Sequence, residues 1–310
     1  MKIVFLDAQT MGSDSDLSIF QQFGYLEAYQ TTSMQERIEH IGDAKIVLTN
    51  KVVIDKEIMD ACPNLGLICV TATGMNNIDL DYAKQKGIVV KNVAGYSTAS
   101  VAQTTIMLVL SLVGHCAYYD TFVKQGGWVK TPTFTHLEKP FWQISSKRWG
   151  IVGLGTIGKE VAKIASAFGA EVVYFSASGQ TQESHYARVD LETLMRTCDI
   201  ITIHAPLSEK TRHLIGKNEL AMMKDGAVLV NVGRGGIIDE EALAKILDEK
   251  ELYVGLDVLN QEPMVANHPL LDAKYHDRVI ITPHIAWGSI ESRTKLMELV
   301  AENIKEFLQH

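Results

Sequence analysis

Ten short runs of Val, Ile and Leu punctuate this chain, and none of them alternates apolar with polar residues. KIVFLD, AKIVLTN, LGLICVTA and GIVVKNV come first; RWGIVGLG, AEVVYFS, DIITIHA, GAVLVNVG, LYVGLDV and RVIITPHI follow. A strand that is apolar on both faces has to be covered on both faces, as in parallel sheets with helices on each side. The segments between the runs are long enough for crossover helices. The expectation is an α/β chain with two doubly wound parallel-sheet domains. A long apolar helical pattern over about Ser100–Tyr118 marks the passage between them, and another over about Ile290–Leu308 ends the chain. The expected domains are 1–98 plus 287–310, and 99–286, with small ligands in the cleft between the two lobes.

The 310 residues carry 29 Lys and Arg against 37 Asp and Glu, a net charge of −8 with no basic cluster. Neutralising a phosphate backbone takes clustered cations, so no nucleic-acid partner is expected. The longest apolar run, near Ile106–Val113, is broken by Ser111. It falls short of the roughly 18 residues a membrane helix needs, so no membrane partner is expected either. The opening KIVFLDA is cut by Asp7 and reads as a buried strand, not a signal peptide. Cys62, Cys69, Cys116 and Cys198 sit in apolar segments without a CxxC pair. They read as small core hydrophobes in a reducing, cytoplasmic setting, with no disulfide frame and no metal site.

The sharpest local motif is Gly153-Leu-Gly155-Thr-Ile-Gly158, which follows the run RWGIV and opens the helical pattern TIGKEVAKIASAF. A lone GxGxxG is weak, but strand before and helix after is the context that gives it meaning. Gly153 allows a tight turn, Gly155 lets backbone approach a pyrophosphate, and Gly158 lets helix pack on strand. The pyrophosphate then sits at the positive end of the helix. This makes 99–286 a Rossmann NAD(P)-binding domain. In such domains an acid at the end of the next strand bonds the adenosine ribose and repels a 2′-phosphate. Here that place is taken by Ser176, followed by Ser178 and Thr181, with no Arg or Lys between 175 and 187. NAD(H) and NADP(H) both stay open.

Three later segments each set a reactive side chain at or just past a strand: Arg234 after GAVLVNV, Glu262 after LYVGLDV, and His284 after RVIITP. In open parallel sheets ligands lie beyond the carboxyl ends of the strands, so the three belong at one crevice. Singly, each has a bland explanation as a surface cation, a solvated acid or a structural histidine. Together they are what a 2-keto-acid reductase needs. Arg holds the substrate carboxylate and polarises its carbonyl, through a charge-assisted bond of about 1.5–3 kcal/mol. His delivers the proton, an effect of roughly 10²–10⁴-fold. Glu orients the imidazole and favours its protonated form.

NVGRGG, LDVLNQEP and TPHIAW, behind that glycine fingerprint, resemble the successive signatures of the D-isomer-specific 2-hydroxyacid dehydrogenase family. The likeness covers nearly the whole chain. TATGMNNID and NVAGYSTASVAQTT resemble its substrate loop and bridging helix, and GYSTASVAQTT with IAW is most similar to glycerate dehydrogenases, or hydroxypyruvate reductases. The resemblance implies Arg234, Glu262 and His284 as the catalytic triad, and a flavodoxin-like substrate domain. It implies that Thr73 and Gly74 offer N–H groups to the substrate carboxylate, together with Arg234 and His284. It implies a coenzyme site formed by Gly153, Gly155, Thr156, Ile157, Gly158 and Ser176, with Thr104, His204, Pro206, Val232, Gly233, Asp257, His284 and Trp287, Asp257 bonding the nicotinamide carboxamide. A homodimer is expected by the same analogy, with the apolar helix near Ser100 at its interface. Asn50, Lys51, Met75, Asn76 and Trp287 are candidates for the pocket rim.

The reaction so implied is hydride transfer between NAD(P)H and hydroxypyruvate or glyoxylate, giving D-glycerate or glycolate. A D-lactate-type dehydrogenase is the near alternative, since one hydroxyl separates the substrates. A non-catalytic dinucleotide sensor is the distant one, and the intact Arg–Glu–His set speaks against it. Tyr82-Ala-Lys-Gln-Lys86 matches the YxxxK of short-chain dehydrogenases, but it stands far ahead of the glycine fingerprint and reads as an exposed helix end.

Overall fold

The computed structural model describes residues 1–180 and 183–309. It divides into two compact units, Met1–Ser97 with Trp287–His310, and Thr98–Ala286.

The first unit carries strands β1 (Lys2–Phe5), β2 (Tyr25–Ala28), β3 (Ile46–Thr49), β4 (Leu67–Val70) and β5 (Val89–Lys91). They are all parallel, in the order β2-β1-β3-β4-β5. That is the flavodoxin-like doubly wound order. Helices α1 (Arg37–Ile41), α2 (Lys56–Ala61) and α3 (Leu80–Lys86) are the crossovers. Because the strands are apolar throughout, neighbouring residues serve opposite cores. Ile3, Phe5, Leu48 and Leu67 pack with Leu296, Val300 and Ile304 of the last helix. Val4, Val47, Ile68 and Val70 pack with Ile58 and Met59 of α2. Strand β2 has the sequence YLEA and is half-exposed at the sheet edge, so it lacks the apolar signature and escapes sequence reading.

The second unit begins with α4 (Thr98–Val113) and α5 (Cys116–Lys124). One continuous helix to Tyr118 was the expectation. Instead the chain breaks at Gly114 and His115, the latter at φ +50, and the two helices bend by 60°. Cys116 consequently lies exposed at the start of α5, unlike the three buried cysteines, which corrects its assignment as a core residue. Strands β6 (Arg148–Val152), β7 (Glu171–Phe175), β8 (Ala187–Arg188), β9 (Ile200–Ile203), β10 (Val228–Asn231), β11 (Tyr253–Leu256) and β12 (Val279–Ile281) follow. They form one parallel sheet, β12-β11-β10-β9-β6-β7-β8, the Rossmann order with an added strand. Helices α6 (Thr156–Ala167), α7 (Leu191–Thr197), α8 (Lys217–Met222) and α9 (Glu240–Glu249) connect them. A Cβ at Gly255 would lie 3.2 Å from the Leu108 side chain, so this glycine admits α4 against the sheet. The last helix, α10 (Ile290–Leu308), returns to the first unit. Among the described residues no single helix is long and apolar enough to cross a membrane.

Candidate active site

The glycine motif forms the turn between β6 and α6. Gly153 takes φ +93, and a Cβ there would sit 2.8 Å from the Ala205 backbone. A Cβ on Gly158 would lie 2.4 Å from the Gly153 carbonyl, so helix and turn touch only because residue 158 is glycine. Gly155 has the opposite character: a Cβ there meets nothing within 4 Å. It caps α6 in an extended conformation with no side-chain hydrogen bond, leaving the N–H groups of the first turn for an anion. Thr156 is exposed and Ile157 half-buried beside it. Bare glycine backbone at an uncapped helix N-terminus fits the pyrophosphate of NAD(P)H.

Strand β6 pairs with β7 on one side and β9 on the other, which is the switch point where such ligands bind. The end of β9 places His204 and Pro206 there. Among the described residues neither buried ring nitrogen of His204 has a hydrogen-bond partner, and burial pushes its pKa down to about 3, so the ring is neutral. Pro206 is exposed. Gly233 packs against this segment, since a Cβ on it would lie 3.0 Å from the Ala205 carbonyl, while the Val232 side chain is buried in the core. Thr104 is half-buried on α4.

At the end of β7, Ser176 is buried and its Oγ lies 3.4 Å from Ser178 Oγ. The Gln180 N–H donates to Ser178 Oγ at 3.2 Å, and Thr181 lies outside the described residues. A cation does reach this turn. Arg188, one residue beyond the 175–187 stretch, donates from Nη1 to the Gly179 carbonyl at 3.1 Å. Its neighbour in space is Tyr174 across the β7–β8 pairing, a proximity set by the sheet that has no local sequence signal.

Strands β10, β11 and β12 are adjacent and parallel, so the segments after them emerge side by side. Asn231 staples the first one: its Nδ2 donates to the Arg234 carbonyl at 2.8 Å, and its Oδ1 accepts the Gly233 N–H at 3.0 Å. Arg234 is exposed, with Nη1 donating to the Gly233 carbonyl at 2.8 Å. Gly235, in the segment after β10, packs against the turn after β11: a Cβ there would stand 1.8 Å from the Leu259 carbonyl oxygen. From that turn Glu262 reaches His284, with Oε2 2.7 Å from Nδ1. Its Oε1 accepts the Leu259 N–H at 3.0 Å.

Asp257 is 1% exposed. Its Oδ1 accepts from Thr282 Oγ1 at 2.6 Å and the Ile285 N–H at 2.9 Å, and its Oδ2 accepts the Ala286 N–H at 2.9 Å. Burial raises its pKa against the pull of those bonds. Three protein donors therefore hold this carboxylate, a set of contacts with no local sequence signal.

In the first unit, the Thr73 hydroxyl donates to the Val93 carbonyl at 3.0 Å, and Asn92 Nδ2 donates to the Thr73 carbonyl at 2.6 Å. Asn50 is buried, Lys51 and Asn76 are exposed, and Met75 leans on the core. Sequence reading missed what shapes this loop: the Asp7 carboxylate accepts the N–H groups of Asn50 at 2.8 Å and Lys51 at 2.7 Å. Trp287 meets Tyr96 edge-on, 6.3 Å between centroids. Tyr82 and Lys86 both turn to Asp60, at 2.7 and 3.0 Å, an exposed ion cluster at a helix end.

The D-isomer specific 2-hydroxyacid dehydrogenase NAD-binding domain matches residues 106–286. A hydroxypyruvate reductase from Blautia hydrogenotrophica is 39% identical, over 100% of this chain and 97% of its own. Among solved structures, an acyclic imino acid reductase with NADPH and D-Arg superposes with TM-score 0.85 at 28% identity, covering 100% of this chain and 97% of that one. A D-lactate dehydrogenase from Aquifex aeolicus with NAD and lactic acid gives 0.83 at 26%, covering 99% and 95%. The chain belongs to the D-isomer-specific 2-hydroxyacid dehydrogenase family and is an NAD(P)-dependent oxidoreductase.

Proposed function

We propose that the protein reduces a small 2-keto acid, hydroxypyruvate or glyoxylate, to D-glycerate or glycolate, with Arg234, Glu262 and His284 as its catalytic residues. The observation that carries this is the 2.7 Å contact between Glu262 Oε2 and His284 Nδ1. With Nδ1 held by a carboxylate, Nε2 is the nitrogen left to give a proton. NAD(P)H, when bound, supplies the hydride to the keto carbon. His284 gives the proton to the keto oxygen, and Glu262 offsets the imidazolium charge before transfer. Arg234 binds the substrate carboxylate and draws electron density from the carbonyl. Thr73 and Gly74 add backbone N–H groups to that carboxylate.

Gly153, Gly155, Thr156, Ile157 and Gly158 hold the pyrophosphate, and Ser176 faces the adenosine ribose. His204, Pro206, Val232, Gly233, Asp257, Thr104 and Trp287 complete the coenzyme site. Hydroxypyruvate is favoured by the similarity to the Blautia reductase; the lactate-bound relative makes pyruvate the competitor to test. The reading also takes residues 1–98 with 287–310 as the substrate domain and 99–286 as the coenzyme domain.

A homodimer is part of the same reading. Val129 is 90% and Phe134 89% exposed, with Leu137, Phe141 and Leu110 exposed as well, apolar side chains of the kind that a second copy would cover. Four free cysteines suit a reducing cytoplasm.

The test is the initial rate with NADH and with NADPH, separately, on hydroxypyruvate, glyoxylate and pyruvate. Fast turnover of hydroxypyruvate is expected. Tight coenzyme binding with no turnover of any keto acid would favour the sensor reading instead.

A further inference from the structure

Beside the Glu262–His284 contact the second unit holds another carboxylate–imidazole pair, and neither of its residues takes part in the chemistry above. Glu240 opens α9, and its Oε2 lies 3.0 Å from His268 Nε2, with side chains only 13% and 9% exposed. His268 Nδ1 accepts the Leu270 N–H at 3.3 Å. A ring nitrogen that accepts carries no proton, so the proton sits on Nε2 and is donated to Glu240. The other oxygen of Glu240, Oε1, accepts the Asn260 N–H at 2.6 Å.

Asn260 lies in the turn from which Glu262 projects. The Leu259 N–H of that turn already binds Glu262 Oε1 at 3.0 Å, so the turn is tied from inside by Glu262 and from outside by Glu240. The same turn presses on the Arg234 segment: the Leu259 carbonyl crowds Gly235, and Asn260 Oδ1 would lie 3.1 Å from a Cβ on Gly236. Moving Asn260 would thus disturb both segments. The two oxygens of Glu240 are thus committed to one loop N–H and one imidazole.

We propose that Glu240 and His268 are positioning residues that brace the 259–262 turn and so set the alignment of Glu262 on His284. This rests on the catalytic assignment made above for Glu262. Sub-ångström control of a proton donor is worth large factors in rate, so the effect belongs in kcat.

The experiment compares Glu240→Ala, Glu240→Gln, Glu262→Gln and the double variant Glu240→Ala/Glu262→Gln in the full-length enzyme, under saturating NADH. Glu240→Ala is expected to lower kcat about tenfold or more, with keto-acid KM and NADH Kd within about threefold. Glu240→Gln keeps an oxygen for Asn260 but sets its amide N–H against the His268 N–H, and recovers only part of the loss. In the Glu262→Gln background the alanine change adds nothing, because residues acting through one another are not additive. An equal loss in both backgrounds, a loss confined to KM, or no loss overturns the brace alone. An unchanged kcat in Glu262→Gln overturns the catalytic assignment and the brace with it. If Glu240→Ala does not fold, His268→Gln in the same two backgrounds gives the same decision.

Discussion

Asp257 builds the turn on which His284 sits. Its carbonyl accepts the His284 N–H at 2.9 Å, while its carboxylate takes Thr282, Ile285 and Ala286. His284 itself holds φ +54, a left-handed conformation that costs a non-glycine residue about 1–3 kcal/mol unless its surroundings impose it. Four hydrogen bonds from one residue are that imposition.

Asp257→Asn puts an amide N–H against the Ala286 N–H. It should destabilise the protein by about 1–3 kcal/mol and lower kcat at least about tenfold through His284. Thermal melts and the NADH Kd decide its role. A Kd within about threefold of wild type marks Asp257 as a support for the turn. A Kd raised in step with the fall in kcat marks it as a coenzyme ligand, as the family resemblance implies.

Arg234→Lys keeps the charge and loses the planar two-pronged donor. A charge-assisted bond of about 1.5–3 kcal/mol corresponds to roughly ten- to a hundredfold, so kcat/KM for the keto acid should fall by that order. Near-normal kcat/KM would remove Arg234 from the substrate site.

Ser176 is buried at the end of β7, and Arg188 folds onto the same turn. Ser176→Asp introduces a carboxylate where a 2′-phosphate would lie. The ratio of kcat/KM for NADPH to that for NADH should drop about tenfold or more, given the usual selectivity at this position. Arg188→Ala should shift the ratio the same way. An unmoved ratio in both would separate this turn from coenzyme choice.

His204 is neutral in the native state down to about pH 3, whereas an unfolded chain protonates histidine near pH 6.5. Between those values the unfolded state binds the extra proton. The stability this group contributes is therefore present above about pH 6.5 and is lost as pH falls toward 3, by at most about 1.4 kcal/mol per pH unit. Melting temperatures of wild type and His204→Gln from pH 7.5 to 5 should converge as acid is added. A constant gap would show that the ring titrates normally.

Several parts of the site were legible because they depend on residue type in short order along the chain. The run RWGIV followed by Gly153, Gly155 and Gly158 specifies a strand, a turn and a helix with room for a phosphate, and those constraints are local. Arg234, Glu262 and His284 could each be placed past a strand because the strands were recognisable one by one. The exposure of Cys116 has no local signal because its helix breaks at His115, and YLEA has none because an edge strand needs no apolar face.

The amino-acid order by itself determined two parallel sheets, the phosphate turn and the identity of the candidate catalytic side chains, since periodicity and glycine chemistry act over a few residues. Only the tertiary structure decided which groups meet. Glu262 touches His284, Asp257 holds the turn of His284, Arg188 reaches the turn after Ser176, and Glu240 with His268 braces the turn of Glu262. Each of these contacts joins segments that are distant in the chain, and their distances are set by sheet register and by how closely loops pack where glycine leaves room.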